Sequence, residues 1–261
     1  MIKGNNQFAE ILKKYNYQLH SGDIVAGTIT HNERIGFLVD IGTEKVGYLP
    51  KEELIIDFKN TLQDHLMLIN TTRDFFLITE NINTKQHILS IKRLDYIRAW
   101  KRIKQIYIED IIFNLPIHQI NKGGIITYLE GIQGFIPKSH IYCIKKHTIK
   151  SKILTINDNK NQLILSNKSA ELATSLHKFK IGEIIYGKIT MLKSYGLFID
   201  LYGIKALLHV SEIGNINYKN KMLIKGKFMK VKIIHLNKKH GQVSVSIQQL
   251  KNITNHHQQL L

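Results

Sequence analysis

The sequence predicts an all-β chain of three tandem five-stranded barrels joined by short helical linkers. Three observations carry that expectation. A twelve-residue block recurs three times, at spacings of 76 and 80 residues. Each period holds about five short apolar runs of strand length, bounded by turn residues. The segments between periods change to helical spacing of their apolar residues.

The recurring block is NINTKQHILSIK from Asn81, NDNKNQLILSNK from Asn157 and NKKHGQVSVSIQ from Asn237. Each places Gln five residues after the Asn and Ser four residues beyond it. Asn opening a short polar segment before alternating apolar residues is hairpin chemistry. Upstream of it lie GFLVDIGTEKVGYLPKEEL (36–54), GGIITYLEGIQGFIPKSHI (123–141) and GLFIDLYGIKALLHVSEI (196–213). In each, a glycine precedes a β-rich run, a loop and a second short strand. The first and third copies share an earlier strand, GDIVAGTIT and GEIIYGKIT, from Gly22 and Gly182. The second copy has DIIFNLPIH there, with Asn114 aligned to Gly27 and Gly187. Five short strands in roughly 70 residues fit a small Greek-key barrel of the OB type.

The expected order is an N-terminal docking helix over 1–19, barrels over 20–93, 107–168 and 179–249, linker helices over 94–106 and 169–178, and a tail over 250–261. Phe8, Ile11, Leu12 and Tyr15 would form one apolar face of the first helix, suited to packing on the first barrel or to docking a partner. Ile97, Trp100 and Ile103 would form the inward face of the first linker. Ser169 is the candidate N-cap of the second.

Composition narrows the function. The chain has 261 residues, 37 Lys and Arg against 20 Asp and Glu, and a formal net charge of +17. That excess points to a polyanion, nucleic acid first. No apolar run reaches the ~18 residues of a membrane span, so no membrane role is expected. The one cysteine, Cys143, excludes a disulfide framework and a thiolate metal site. There is no phosphate-binding glycine loop and no HExxH, so neither an enzyme nor a cofactor is expected. Cys143 with His147 is a nucleophile pair on paper only. Heavy use of Lys, Asn and Ile suggests an AT-rich genome.

The run GEIIYGKITMLKSYGLFIDLYGIKALLHVSEI followed by VKIIHLNKKHGQVSVSIQ resembles the RNA-binding repeat of the ribosomal protein S1 family. INKGGIITYLEGIQGFIPKSHI resembles that family's divergent second repeat, in KGG and GFIPKS. The repeats together cover roughly residues 20 to 249. Bacterial members usually carry more repeats, so a three-repeat chain looks more like the plastid version. The resemblance implies a small-subunit ribosomal protein, monomeric on the ribosome, that binds single-stranded mRNA, touches rRNA and works in the chloroplast stroma. The cytoplasm of an AT-rich bacterium is the alternative location. A protein-interaction scaffold, or a free RNA-binding chaperone, is the alternative function.

Charge singles out the third copy. Residues 179–249 hold 12 lysines and 3 carboxylates, a net of +9; residues 20–93 carry −2 and residues 94–178 carry +7. Phosphates would be repelled by the first and would release counterions from the third. The family's binding positions map to Tyr195, Phe198 and His209, with Asn237 near the next turn. Lys193, Lys205, Lys239 and Gln242 complete the candidate RNA-binding set, with Lys238 beside Lys239. The family often has Asp and then Arg or Lys where Asn237 and Gln242 stand here. The first copy has Ile35, Leu38 and Pro50 at the first three positions, and the second has Lys122, Ile125 and Pro137. The bland alternative for Tyr195 and Phe198 is barrel core, for His209 a buried histidine, and for the lysines a solvated face. Tyr195 and Phe198 are three apart, an odd offset that a regular strand sends to opposite faces. A kink or bulge at Gly196 is the expected remedy. The first copy, with residues 1–19, is expected to dock on a neighbouring ribosomal protein.

Overall fold

In the computed structural model, residues 14, 18–43, 45–54, 69–81, 86–142, 147–214, 224–248 and 250 are described. Phe8, Ile11, Leu12, Tyr15 and Cys143 lie outside them. Contacts divide the chain into two units, Met1–Ile103 with Glu130–Ile132, and Lys104–Leu129 with Gln133–Leu261.

The first unit is built on strands β1 (Ile24–Asn32), β2 (Gly36–Asp40), β3 (Gly47–Pro50), β4 (Thr72–Glu80) and β5 (His87–Ser90). They pair in the order β1-β2-β3-β5-β4 and close into a barrel, with β3 and β5 parallel. Period-2 alternation aims Val25, Ile29, Phe37, Val39, Leu49, Phe75, Leu77 and Leu89 inward. Each such side chain contributes roughly 1.5–3 kcal/mol by leaving water. At Thr30 the register of β1 shifts against β2, and the Thr30 hydroxyl donates to the Leu38 carbonyl at 3.2 Å.

Helix α1 (Lys92–Ile108) follows β5. Ser90 ends the strand and starts the helix: its hydroxyl accepts from the Arg93 N–H at 2.8 Å and donates to Glu53 Oε2 at 2.6 Å. The inward face of α1 is Leu94, Ala99, Trp100 and Ile103, whereas Ile97 is 46% exposed. An every-third-residue stripe drifts off a 3.6-residue turn, and Ile97 falls outside the buried arc.

The middle copy departs from the expected closed five-stranded barrel. Strands β6 (Phe113–Pro116), β7 (Gln119–Ile120), β8 (Gly124–Leu129), β9 (Ile132–Pro137), β10 (Thr148–Asn157) and β11 (Gln162–Ser166) form one sheet ordered β6-β10-β11-β9-β8-β7. The single long first strand of the other copies is cut in two here. Register supplies the reason. In the first barrel Gly27 stands opposite Arg73, and a Cβ there would lie 2.8 Å from Val39 Cγ1. In the third, Gly187 stands opposite Met229, and a Cβ would lie 2.4 Å from Ile199 Cγ2. The residue opposite the equivalent Ile149 is Leu115, buried, and not Asn114. Leu115 thus stands at the register position where the other two barrels carry a glycine with the neighbouring strand in close approach. Pro116 then lacks the N–H needed to continue the ladder.

Helix α2 (Asn167–Ser175) follows β11, and Ser166 caps it by accepting from the Ser169 N–H at 3.1 Å. Ser169, the expected cap, instead donates its hydroxyl to the Lys238 carbonyl at 2.9 Å. The serine of the recurring block is thus the cap of the following linker helix in both the first and second copies. Ser166 is fully buried. Ser166→Ala is expected to lower stability by about 1–2 kcal/mol, read as a shift of the denaturation midpoint at unchanged slope.

The third copy closes again: β12 (Ile184–Lys193), β13 (Gly196–Leu201), β14 (Ile204–His209), β15 (Phe228–Asn237) and β16 (Gln242–Ser246) pair as β12-β13-β14-β16-β15. Its core takes in Leu172 of α2 beside Ile199, Ala206, Leu208, Val231 and Val245.

Candidate nucleic-acid interface

The outer face of β13, β14 and β16 is set by strand register. Phe198 stands opposite Leu207, and Leu207 stands beside Ser244. Lys205 is opposite Asp200, and His209 is opposite Gly196. Side chains at these positions alternate with the core residues Leu197, Ile199, Ala206 and Leu208, so they point out of the barrel.

Tyr195 explains the odd spacing differently from a kink at Gly196. It lies in the two-residue turn between β12 and β13, outside the strand, and Lys193 pairs directly with Gly196 across that turn. The register shift of β12 is at Thr190, whose hydroxyl donates to the Phe198 carbonyl at 3.0 Å. Gly196 serves a close approach: a Cβ there would lie 2.3 Å from the Leu208 carbonyl oxygen. Released from strand alternation, Tyr195 turns its ring edge-on to Phe198, with centroids 6.2 Å apart at 88°. Tyr195 is 47% exposed. Phe198 is half-buried, and neither ring belongs to the barrel core.

His209 is exposed at the end of β14. Its Nδ1 accepts from the Ser211 N–H at 3.3 Å and meets the Ser211 hydroxyl at 2.8 Å, starting the 3-10 turn Val210–Glu212. Asn237 and Gln242 face each other at the end of the β15–β16 hairpin. The Asn237 side-chain oxygen accepts from the His240 N–H at 3.1 Å, as Asn157 accepts from Lys160. That oxygen therefore belongs to the turn. Lys193 and Lys239 are exposed, at the end of β12 and in the β15–β16 turn.

A cleft of about 480 Å³ brings Tyr195, Phe198, Lys205 and Gln242 together. Lys193, His209, Asn237 and Lys239 do not line it. The cleft also takes in residues that sequence reasoning passed over: His140 and Tyr142 after β9, Lys168 at the start of α2, and His240. The α2 N-terminus and the β15–β16 turn hold this arrangement. Gly241 has φ +63°, and a Cβ there would lie 2.4 Å from the Lys168 carbonyl carbon. Tyr142 O–H donates to Asp200 Oδ1 at 3.3 Å. His140 and His240 place their ring centroids 6.2 Å apart, and His140 Nδ1 is 3.0 Å from the Ser166 hydroxyl. Burial first, then Lys168 and His240, lowers the His140 pKa from its ordinary value. Burial first, then the charge of Lys205, lowers that of Lys168. The only sequence signal for these groups was their side-chain chemistry, since His140 and His240 are 100 residues apart.

The other copies present different surfaces. Gly36 pairs with Pro50, which places Ile35 and Leu38 where the third barrel has Tyr195 and Phe198. In the middle copy the Lys138 N–H donates to the Gly123 carbonyl, as Val210 does to Tyr195. The equivalents are therefore Gly123 and Ile126, one residue later than Lys122 and Ile125; Ile125 is buried. Both copies do carry a ring, but on the central strand: a Cβ on Gly36 would lie 2.6 Å from the Tyr48 ring, and one on Gly124 2.9 Å from the Phe135 ring. These rings lie across the glycine, where the third copy has Leu207.

A family model described as the S1 RNA binding domain matches residues 178–248. The chain is 44% identical over 259 residues to small ribosomal subunit protein bS1c of Pyropia yezoensis, covering 95% of this chain and 97% of that one. The chain belongs to the bS1 family of small ribosomal subunit proteins. The bS1c protein of Porphyra purpurea matches to the same identity and coverage. The bS1A protein of Synechocystis sp. is 34% identical over 252 residues, covering 94% of this chain and 76% of that one. Within this bS1 chain the matched domain coincides with the barrel that carries the exposed ring pair and the cationic cleft.

Proposed function

We propose that this chain is an RNA-binding constituent of the small ribosomal subunit that captures single-stranded mRNA for translation initiation, with the third barrel as the capturing surface. The observation that carries this is the Tyr195–Phe198 ring pair on the outer face of a barrel with a net charge of +9. Exposed rings hold unpaired bases irrespective of sequence, and lysines around them neutralise the backbone. The first barrel, with residues 1–19, docks on a neighbouring ribosomal protein, and the middle copy carries the arm onward over rRNA. The chain acts as a monomer in the plastid, a reading supported by its similarity to the bS1c proteins. It performs no catalysis.

A salt titration of the whole protein with a U-rich single strand tests this. Log affinity should fall linearly with log salt, with a slope of about −0.7 for each phosphate neutralised. Lys205→Gln should make the slope shallower by about 0.7. Saturable binding to ribosomal proteins without affinity for short single strands would instead support a protein scaffold.

A further inference from the structure

The cleft beside the third barrel contains more positive and protonable groups than stacking of bases requires. His140 approaches from the turn after β9, Lys168 from the start of α2, Lys205 from β14 and His240 from the β15–β16 turn. Among the described residues lining the cleft there is no carboxylate. Asp200 stands outside the lining, opposite Lys205 in the sheet and accepting from Tyr142. Burial first, then the charge of Lys205, works against the charged form of Lys168, and an anion between the two ammonium groups would relieve that repulsion. Burial first, then Lys168 and His240, lowers the His140 pKa, so cationic neighbours add to the cost of protonating it in the free chain. The same cleft is walled by Tyr195 and Phe198. Because the rings and the lysines line one cleft, a strand stacked on the rings would bring its phosphates within reach of Lys168 and Lys205.

We propose that His140, Lys168, Lys205 and His240 form a phosphodiester clamp, which takes the backbone of the RNA as it leaves the Tyr195–Phe198 rings toward the middle copy. The clamp rests on the reading of the third barrel as an RNA binder. It gives the middle copy, whose own ring positions are Gly123 and Ile126, a contact with RNA through residues at its C-terminal boundary. It also makes binding depend on pH. The Ser166 hydroxyl sits at His140 Nδ1, which leaves Nε2 for the ligand. A phosphate beside His140 favours its protonated form, so the complex takes up a proton and affinity rises as pH falls. Burial first, then Lys168 and His240, holds the free His140 pKa below its ordinary value, so the gain lies on the acid side of neutrality.

The test uses the full chain and oligouridylates of about 4 and about 12 nucleotides, spanning the range of OB-fold site sizes. The His140→Gln/His240→Gln variant is expected to bind the longer oligomer about tenfold more weakly than the wild type at about pH 6, to match it at about pH 8, and to bind the shorter one unchanged. Tyr195→Ala/Phe198→Ala is expected to lose both oligomers. A histidine variant that keeps the wild-type pH dependence for the longer oligomer overturns the clamp while leaving the ring site standing. Retention of both oligomers by the ring variant overturns the reading beneath it, and the clamp with it. A second measurement needs no variant: the imidazole C–H resonances of His140 should titrate at higher pH with the longer oligomer bound. If excess inorganic phosphate alone raises them as much as the oligomer does, the cleft is a free-phosphate site and the RNA clamp is rejected.

Discussion

Tyr195→Ala with Phe198→Ala is expected to weaken binding of a U-rich single strand by at least about 30-fold, because each stacked base contributes about 1–3 kcal/mol. The loss should appear without unfolding. The barrel core is carried by Leu197, Ile199, Ala206, Leu208, Val231 and Val245, and the two rings stand outside it. The thermal midpoint should therefore stay within a few degrees of the wild type, while the oligomer titration, read by fluorescence anisotropy, moves to much higher protein concentration. The equivalent change in the first barrel, Ile35→Ala with Leu38→Ala, should leave RNA affinity unaltered, since that face has no ring at either position and belongs to a segment with net charge −2.

Gly187→Leu is expected to be the most destabilising single change in the third barrel. It installs there the residue that the middle copy carries at the equivalent position. The Cβ alone would lie 2.4 Å from both Ile199 Cγ2 and Leu201 Cδ2, and 3.0 Å from the Asp200 carbonyl oxygen. Overpacking a core usually costs about 1–3 kcal/mol. Here the displaced group includes the neighbouring strand's backbone, so about 3 kcal/mol or more is expected, a fall of about 10–20 °C in the midpoint of a barrel this size. Loss of the β12–β13 pairing should show as faster amide exchange along the paired stretch of Met191–Lys193 with Gly196–Phe198, with the first barrel unaffected. A midpoint within a few degrees of the wild type would mean that Leu115 is not what opens the middle sheet.

The repeat was legible because it is written in residues with fixed jobs. Asn157/Gln162 and Asn237/Gln242 pair across the same hairpin position, and Ser90 and Ser166 cap the helices that follow. Periodicity of two marked the core strands for the same reason. Register was less legible. Leu115 and Asn114 are both plausible at one position of a strand read by eye, and a one-residue slip exchanges the inward and outward faces. The same slip moved Lys122 and Ile125 into places held by Gly123 and Ile126. Gly196 drew attention as a kink because an odd spacing within a strand demands one; the turn at Ser194–Tyr195 removes the demand. The cleft was the least legible part. It joins residues from the end of the middle copy, a helix start and a distant hairpin, and no local pattern links His140 to His240.

The central claim is that single-stranded RNA is held by the third barrel and its cleft, not by the first. Photo-cross-linking of a thiouridine-containing oligomer to the full chain, with adducts mapped by mass spectrometry, tests it most directly. The account predicts adducts on peptides carrying Tyr195, Phe198 and Lys205, together with those carrying Tyr142 and Lys168. Adducts concentrated between residues 20 and 93, with none on the third barrel, would contradict it.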